Sequence, residues 1–231
     1  MRVILNTGRS KTGSPEPSLS VQYSMQDNAL VKFFIQGGPI MWPILLTAIV
    51  AVAVTIERIV WWVRETRRRD PRLLDSVLTQ IEEGEIDDAS RLAARSEDPV
   101  VRMIWHGLNH VHCSMQGAMQ MAAGIELERA GRFLAVLDTI ITLAPLLGLL
   151  GTVTGIMHSF SFVGDEELAA VKVSGGIAEA LIATACGLGI AMFCLIPFNY
   201  FQRRIERLRF DLETQATNVE VMLEKAKQAV A

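Results

Sequence analysis

Three long stretches without a single charged side chain constrain this chain more than any other feature. They run from Ile40 to Ile56, from Thr139 to Val163 and from Ala180 to Phe201. A hydrocarbon core about 30 Å thick is crossed by roughly 20 helical residues, so each stretch reaches across, the first with help from Glu57–Trp62 at its edge. One such block can be the buried helix of a soluble domain; three in 231 residues that are 50% hydrophobic predict an all-α membrane protein. Irregular backbone or an open sheet edge facing lipid would leave its polar groups unsatisfied, so the spans are read as helices.

The arginines orient the spans. Arg58, Arg64, Arg67, Arg68, Arg69 and Arg72 crowd the exit of the first, and Arg203, Arg204, Arg207 and Arg209 crowd the exit of the third. The segment between the second and third carries Lys172 against Asp165, Glu166 and Glu167. The positive-inside rule then places the N-terminus and the short connection outside, and the long middle segment and C-terminal tail in the cytoplasm. Trp42, Trp61 and Trp62 stand at the two ends of the first span, as an aromatic belt does.

The expected organisation is a disordered tail over 1–24, an interfacial helix over 25–38 and transmembrane helices over 39–63, 139–163 and 177–201. A cytoplasmic helical domain fills 64–138, a periplasmic loop 164–176 and a cytoplasmic C-terminal helix 202–231. Met1–Leu5 is too short an apolar run for a signal peptide, and Met25 is a candidate true start. Gly37-Gly38-Pro39 should break the interfacial helix from the first span. Within the middle segment, Leu73, Leu74, Val77, Leu78 and Ile81 have helical spacing. Gly84 is the expected C-terminal cap, Asp87 or Asp88 the next N-cap, and Asp98-Pro99 a further helix start. No strong breaker follows Met115, so one helix of about 70 Å is expected from there through Phe162.

Enzymatic and metal chemistry find little support. His106, His110 and Cys113 share a helical face, but no carboxylate or second cysteine joins them at matching spacing. No phosphate loop, Ser/His/Asp order or paired carboxylates stand out, so no enzyme and no cofactor is expected. A formal net charge of −3 offers nothing to nucleic acid.

The spans carry two stripes of small or hydroxyl residues. Pro145, Gly148, Thr152, Gly155 and Ser159 form one; Gly176, Ala180, Thr184, Gly187, Ala191 and Cys194 form the other. Small residues let membrane helices approach closely, which explains the glycines and alanines by packing. The threonines and Glu179, at the entrance of the third span, are the polar groups left over. A carboxylate inside a span tends to face a bundle interior or water. His158 lies about 120° away from its stripe, at 100° per helical residue, and reads as a packing or interface residue.

At LAPLLGLLGTVTGIMHSF (143–160) and GGIAEALIATACGLGIAMFCLIPFN (175–199) the chain resembles the ExbB/TolQ/MotA proton-channel family. The Glu57-Arg58 pair and DDASRLAARSEDPVVRMIWHGL (87–108) resemble it too, and FIQGGPIMWPILL looks most like ExbB-type chains. Three spans fit the ExbB and TolQ branches; MotA-type stators have four. The resemblance implies a homo-pentamer in the bacterial inner membrane, among its lipids, around two helices of an ExbD/TolR-type single-span protein that carries a membrane aspartate. It further implies that the proton motive force is passed to a TonB/TolA-type protein to energise outer-membrane transport, or, on the TolQ alternative, a Tol-Pal envelope complex. In that picture Thr152, Thr184 and Glu179 mark the proton pathway. Pro145, Gly148, Gly155, Ser159, Ala180, Gly187 and Ala191 line the pore or pack its helices. A passive membrane scaffold is the rival class. The stripes are sparse in extra oxygens that would hold sodium, which favours protons.

Overall fold

A computed structural model describes residues 34–111, 114–161 and 169–230. Every regular element among them is an α-helix: α1 Met41–Arg68, α2 Pro71–Glu82, α3 Ile86–Ala93, α4 Pro99–Leu108, α5 Met115–Gly131, α6 Leu134–Phe160 and α7 Ala169–Val230. Three are long and apolar enough to cross a membrane: α1, α6 and α7, the last over Val173–Ala226. Of the expected tail, interfacial helix and outer loop, residues 1–33 and 162–168 lie outside the described residues. Residues 34–36 are helical, and Gly38, at φ +68°, turns the chain into α1 in a conformation that glycine adopts without a steric cost. Helix α7 begins at Ala169, so residues 169–176 of the segment read as a loop are helical.

The spans continue directly into a packed helical domain. Helix α7 runs unbroken for 62 residues, roughly 90 Å at the usual rise. Beyond its apolar stretch it buries Phe201, Leu208, Leu212, Val219 and Leu223, a 7-4-7-4 spacing that keeps one face inward. That face meets α2, α4 and α5 around a core of Val77, Ile81, Val100, Val101, Met103, Ile104 and Met119, to which Ala89 and Ala93 of α3 also belong. Local chemistry sets the short helices. Asp70 accepts from the Leu73 N–H and Asp98 from the Val100 N–H, each followed by proline at the first helical position. Asp98 is almost fully buried because its other oxygen accepts from the Asp70 backbone N–H at 2.9 Å, tying the starts of α2 and α4 together. Gly84, at φ +86°, closes α2 as its position suggests. Asp87 and Asp88 sit in the first turn of α3, where they favour the positive end of the helix dipole, while Glu85 occupies the cap position.

The single helix expected from Met115 through Phe162 is two helices. The break falls at Arg132 and Phe133, and Phe133 takes a left-handed φ of +62°, costly for a non-glycine residue. The break is held from another helix. Arg58 of α1 is 1% exposed and donates from Nη1 to the carbonyl oxygens of Ala130 at 3.2 Å and Arg129 at 3.4 Å. These are terminal carbonyls of α5, where a helix leaves its acceptors short of partners; that of Arg129 also accepts from the Arg132 N–H at 3.4 Å. Glu57 receives Nε and Nη2 of the same guanidinium at 2.6 and 2.9 Å. The Trp61 and Phe133 rings lie 5.1 and 5.7 Å from its carbon. The Glu57-Arg58 pair is therefore a tertiary cap.

Arg58→Met, which keeps volume but removes every donor, is expected to destabilise the protein by about 2–4 kcal/mol, because buried carbonyls lose a charged donor. Arg64→Met, on the exposed side of α1, should be close to silent. Thermal unfolding of the detergent-solubilised variants checks the contrast.

Candidate functional site: the seam between the second and third spans

The stripes of small residues meet inside one protomer. Gly148, Gly155 and Ser159 of α6 are buried, as are Gly176, Ala180, Gly187 and Ala191 of α7. A Cβ placed on Gly187 would fall on the Ala144 carbonyl oxygen; one on Gly148 would stand 3.0 Å from the Thr184 Cα. One on Gly155 would lie 2.9 Å from the Gly176 carbonyl oxygen, and one on Gly176 would overlap the Ser159 hydroxyl. Backbone touches backbone along this seam, and only hydrogen leaves the room required.

Residues beyond the predicted stripe complete the seam. Ala144, Gly151 and Ala183 are buried along it, so the buried line of α6 reads Ala144, Gly148, Gly151, Gly155, Ser159. Pro145 and Thr152 are half-buried beside that line. Spacings of 3-4-3-4 and 4-3-4-4 through the same glycines describe neighbouring faces, and Gly151 was the available signal.

The hydroxyl groups are placed as follows. Thr184 Oγ1 donates across the seam to the Gly148 carbonyl at 3.0 Å and back to its own Ala180 carbonyl at 3.1 Å, one proton shared between two acceptors. Thr152 Oγ1 donates to the Leu149 carbonyl of its own helix at 2.6 Å. Ser159 donates to the Gly155 carbonyl at 2.8 Å. Each donor is occupied within the protomer, while lone pairs on each oxygen remain able to accept. Glu179 stands apart from the stripes. Its half-buried carboxylate lies against Gly38, at the turn that opens α1, where any Cβ would collide with it.

His106 and His110 lie away from the seam. His106 and His110 are exposed near the end of α4, with His110 Nδ1 2.9 Å from the His106 carbonyl oxygen; Cys113 lies outside the described residues. Among the described residues no three His, Cys, Asp or Glu side chains gather as a metal would require.

Residues 95–214 match the sequence pattern of the MotA/TolQ/ExbB proton channel family, which takes in α4, α5, α6 and most of α7. The chain belongs to that family. It is similar to the putative biopolymer transport protein ExbB-like 1 of Synechocystis, 35% identical over 182 residues that cover 75% of this chain and 71% of that protein. ExbB-like 3 of the same organism is 32% identical over 192 residues, 80% of this chain and 91% of that one. The Tol-Pal system protein TolQ of Pseudomonas aeruginosa is 44% identical over 92 residues, 39% of this chain and 40% of its own. As in the sequence reading, this is a membrane protein of the MotA/TolQ/ExbB family. The seam lies wholly inside the matched region, whereas Arg58 precedes it.

The seam makes a sharp prediction. Gly187→Ala sets a methyl against a backbone carbonyl that cannot step aside, and should lower stability by about 1–3 kcal/mol. Gly189→Ala, with nothing within 4 Å of its Cβ, should be neutral or gain from better helix propensity, by up to about 1 kcal/mol. Unfolding midpoints of the two detergent-solubilised variants distinguish them.

Proposed function

We propose that this chain is the proton-channel subunit of an inner-membrane motor of ExbB–ExbD type, five copies surrounding a single-span partner with a membrane aspartate. The motor passes the energy of proton entry to a TonB-type protein that energises outer-membrane transport. Family membership carries the class. The ExbB branch is favoured by the names of the relatives matched over most of both lengths, which are ExbB-like; proteins named ExbB and TolQ each match over about two-fifths of both chains. A TolQ-type role in a Tol-Pal complex is the second reading, supported by the TolQ match.

The observation that carries the mechanism is the state of the threonine hydroxyls. No Asp or Glu occurs in Thr139–Val163 or Ala180–Phe201, so a titrating carboxyl has to come from a partner. Thr152 and Thr184 both have their protons committed to backbone carbonyls. Their oxygens are therefore poised to accept from a protonated carboxylic acid, which is a donor. To face the ionised form as donors they must rotate away from those carbonyls. Loading and release of a proton on the partner would then be coupled to a hydroxyl rotation at the seam. In this reading Glu179, held against the first span's opening turn, sits at the outer mouth and raises local proton availability. A charge moved through 100 mV releases about 2.3 kcal/mol, enough for repeated transfers to turn one set of helices against the other.

Thr152→Val and Thr184→Val should each assemble as pentamers that retain the partner, yet lose most proton-driven activity, on the order of tenfold or more. Thr184→Ser keeps the hydroxyl, and with it the seam hydrogen bond worth about 1 kcal/mol, and should retain activity; it separates the need for the hydroxyl from any need for the methyl. Complementation of a deletion strain, proton flux in liposomes with the partner, and native mass spectrometry test the set. Full activity in the double valine variant would overturn the proton path. A stable dimer or tetramer as the sole species would overturn the pentamer.

Topology is tested separately. A cysteine replacing Ser174, at the exposed outer end of α7, should react with an impermeant thiol reagent in intact spheroplasts. One replacing Glu82, at the end of α2, should react only after lysis. The reverse order would invert the orientation.

A further inference from the structure

Away from the seam, the outer side of the bundle carries an open groove of about 780 Å³ between α1 and α7. Its length is lined by Ile59, Phe193, Ile196 and Pro197, and its end by Arg67 and Arg204, with no acidic residue among its walls. From Thr55 to Arg67 on α1 is about 18 Å of helix, and from Phe193 to Arg204 on α7 about 16 Å. Both are close to half of a hydrocarbon core about 30 Å thick. The groove is therefore one leaflet long, apolar at membrane depth and cationic where headgroups begin.

Three buried side-chain polar atoms lack a hydrogen-bond partner among the described residues: Thr55 Oγ1, Trp62 Nε1 and Arg204 Nε. All three residues line this groove. Thr55 and Trp62 are 7% and 8% exposed, so water does not readily satisfy them. Arg204 is held in place from the protein side, donating from Nη2 to Thr66 Oγ1 at 3.2 Å, with the Trp62 and Tyr200 rings 5.6 and 5.8 Å away. Among the described residues neither Arg67 nor Arg204 forms an ion pair, while the neighbouring Arg69 pairs with Asp211 at 2.9 Å. Arg204, Trp62 and Thr66 also border an adjoining hollow, with Arg203, Arg207, Glu65, Glu206 and the already paired Asp211.

We propose that this groove seats one anionic phospholipid from the leaflet on the arginine-rich side. Its phosphate lies between Arg204 and Arg67, small rotations of Arg204 and Trp62 uncover Nε and Nε1 to its oxygens, and an acyl chain runs along Ile59, Phe193 and Ile196. A phosphate offers several acceptor oxygens to an arginine whose second face is already anchored. Basic hollows between spans at the cytoplasmic surface are where such headgroups bind. A second copy of the chain fits less well. Copies sharing one orientation in the bilayer bring Arg67 and Arg204 level with each other's arginine-rich helix ends, where Glu97 and Asp211 are already paired to Arg68 and Arg69. Thr55 lies two helical turns deeper than Trp62 and is assigned no headgroup contact. The proposal rests on the membrane reading of the chain and not on proton transfer.

The full-length protein, reconstituted in nanodiscs of equal phosphatidylglycerol and phosphatidylcholine and transferred to mild detergent, is examined by native mass spectrometry. About one phosphatidylglycerol per subunit should be retained, in roughly tenfold preference over phosphatidylcholine. Arg67→Gln with Arg204→Gln should bring the ratio to parity. Trp62→Phe, which keeps the ring but removes the N–H, should lower it several-fold, and Arg204→Lys should preserve part of it. Arg64→Gln, outside the groove, should change nothing, and circular dichroism checks that each variant is folded. Equal retention of the two lipids by the wild type, or unchanged preference in the double variant, overturns the site. So does efficient disulfide formation between copies through Ile196→Cys in the bilayer, which would place a second copy there. Millimolar inorganic phosphate should not shift the melting of delipidated protein. A shift matching that of phosphatidylglycerol would reassign the groove to free phosphate. Selective retention without proton flux would count against the proposed function alone; flux without selective retention would count against this site alone.

Discussion

Everything in this protein is arranged around the direct contact of two helix backbones in lipid. Between membrane helices the solvent supplies no hydrophobic drive, since lipid tails are as apolar as leucine, and association depends on close packing and interhelical hydrogen bonds. The α6–α7 seam uses both. Glycine and alanine bring carbonyls and Cα atoms together at Gly148, Gly155 and Gly187, and Thr184 adds a hydrogen bond across the gap. Large side chains such as Leu146, Leu149, Val153 and Ile196 are displaced outward, where they remain exposed on the protomer and free to meet lipid or other copies.

A second interaction fixes how the spans meet the helical domain. Burying a guanidinium is costly unless its donors are used, and Arg58 uses them on a carboxylate and two helix-terminal carbonyls. The same contacts hold the left-handed residue Phe133, so the bend between α5 and α6 is maintained from outside the segment that bends. The first span thereby positions the second at the level where the domain begins, although α6 packs its small residues against α7.

The physical origin of each feature decides how far it could be read from sequence. The three spans were plain because the absence of charge over some twenty residues has few other meanings. The starts of α2 and α4 were equally plain, since Asp70-Pro71 and Asp98-Pro99 each combine a capping acceptor with a residue pre-set for the first turn. The small-residue face was legible to within one helical position; Pro145 and Thr152 flank the buried line through Ala144 and Gly151 because both lines share the same glycines. The break at Arg132-Phe133 was not legible, since neither residue disrupts a helix by itself and the side chain that caps it lies more than seventy residues away on α1. Glu179 against Gly38 is another non-local pairing that spacing cannot reveal. The expected proton route also owes its residues to family resemblance more than to pattern, because hydroxyls in a span fit packing as readily as conduction.

The two long helices that form the seam differ in continuity. The third span and its extension are one uninterrupted rod, with Pro197 as its single internal proline; the second span meets its extension at the elbow of Phe133. A displacement imposed on one end of the rod reaches its far end with little slack, as in a strut. The second span is bolted to that rod along the seam, so the two travel together, and the elbow, pinned by Arg58, is a fixed angle and not a joint. A ring assembled from such protomers would therefore move as paired struts, delivering a shift made in the bilayer to the helical domain.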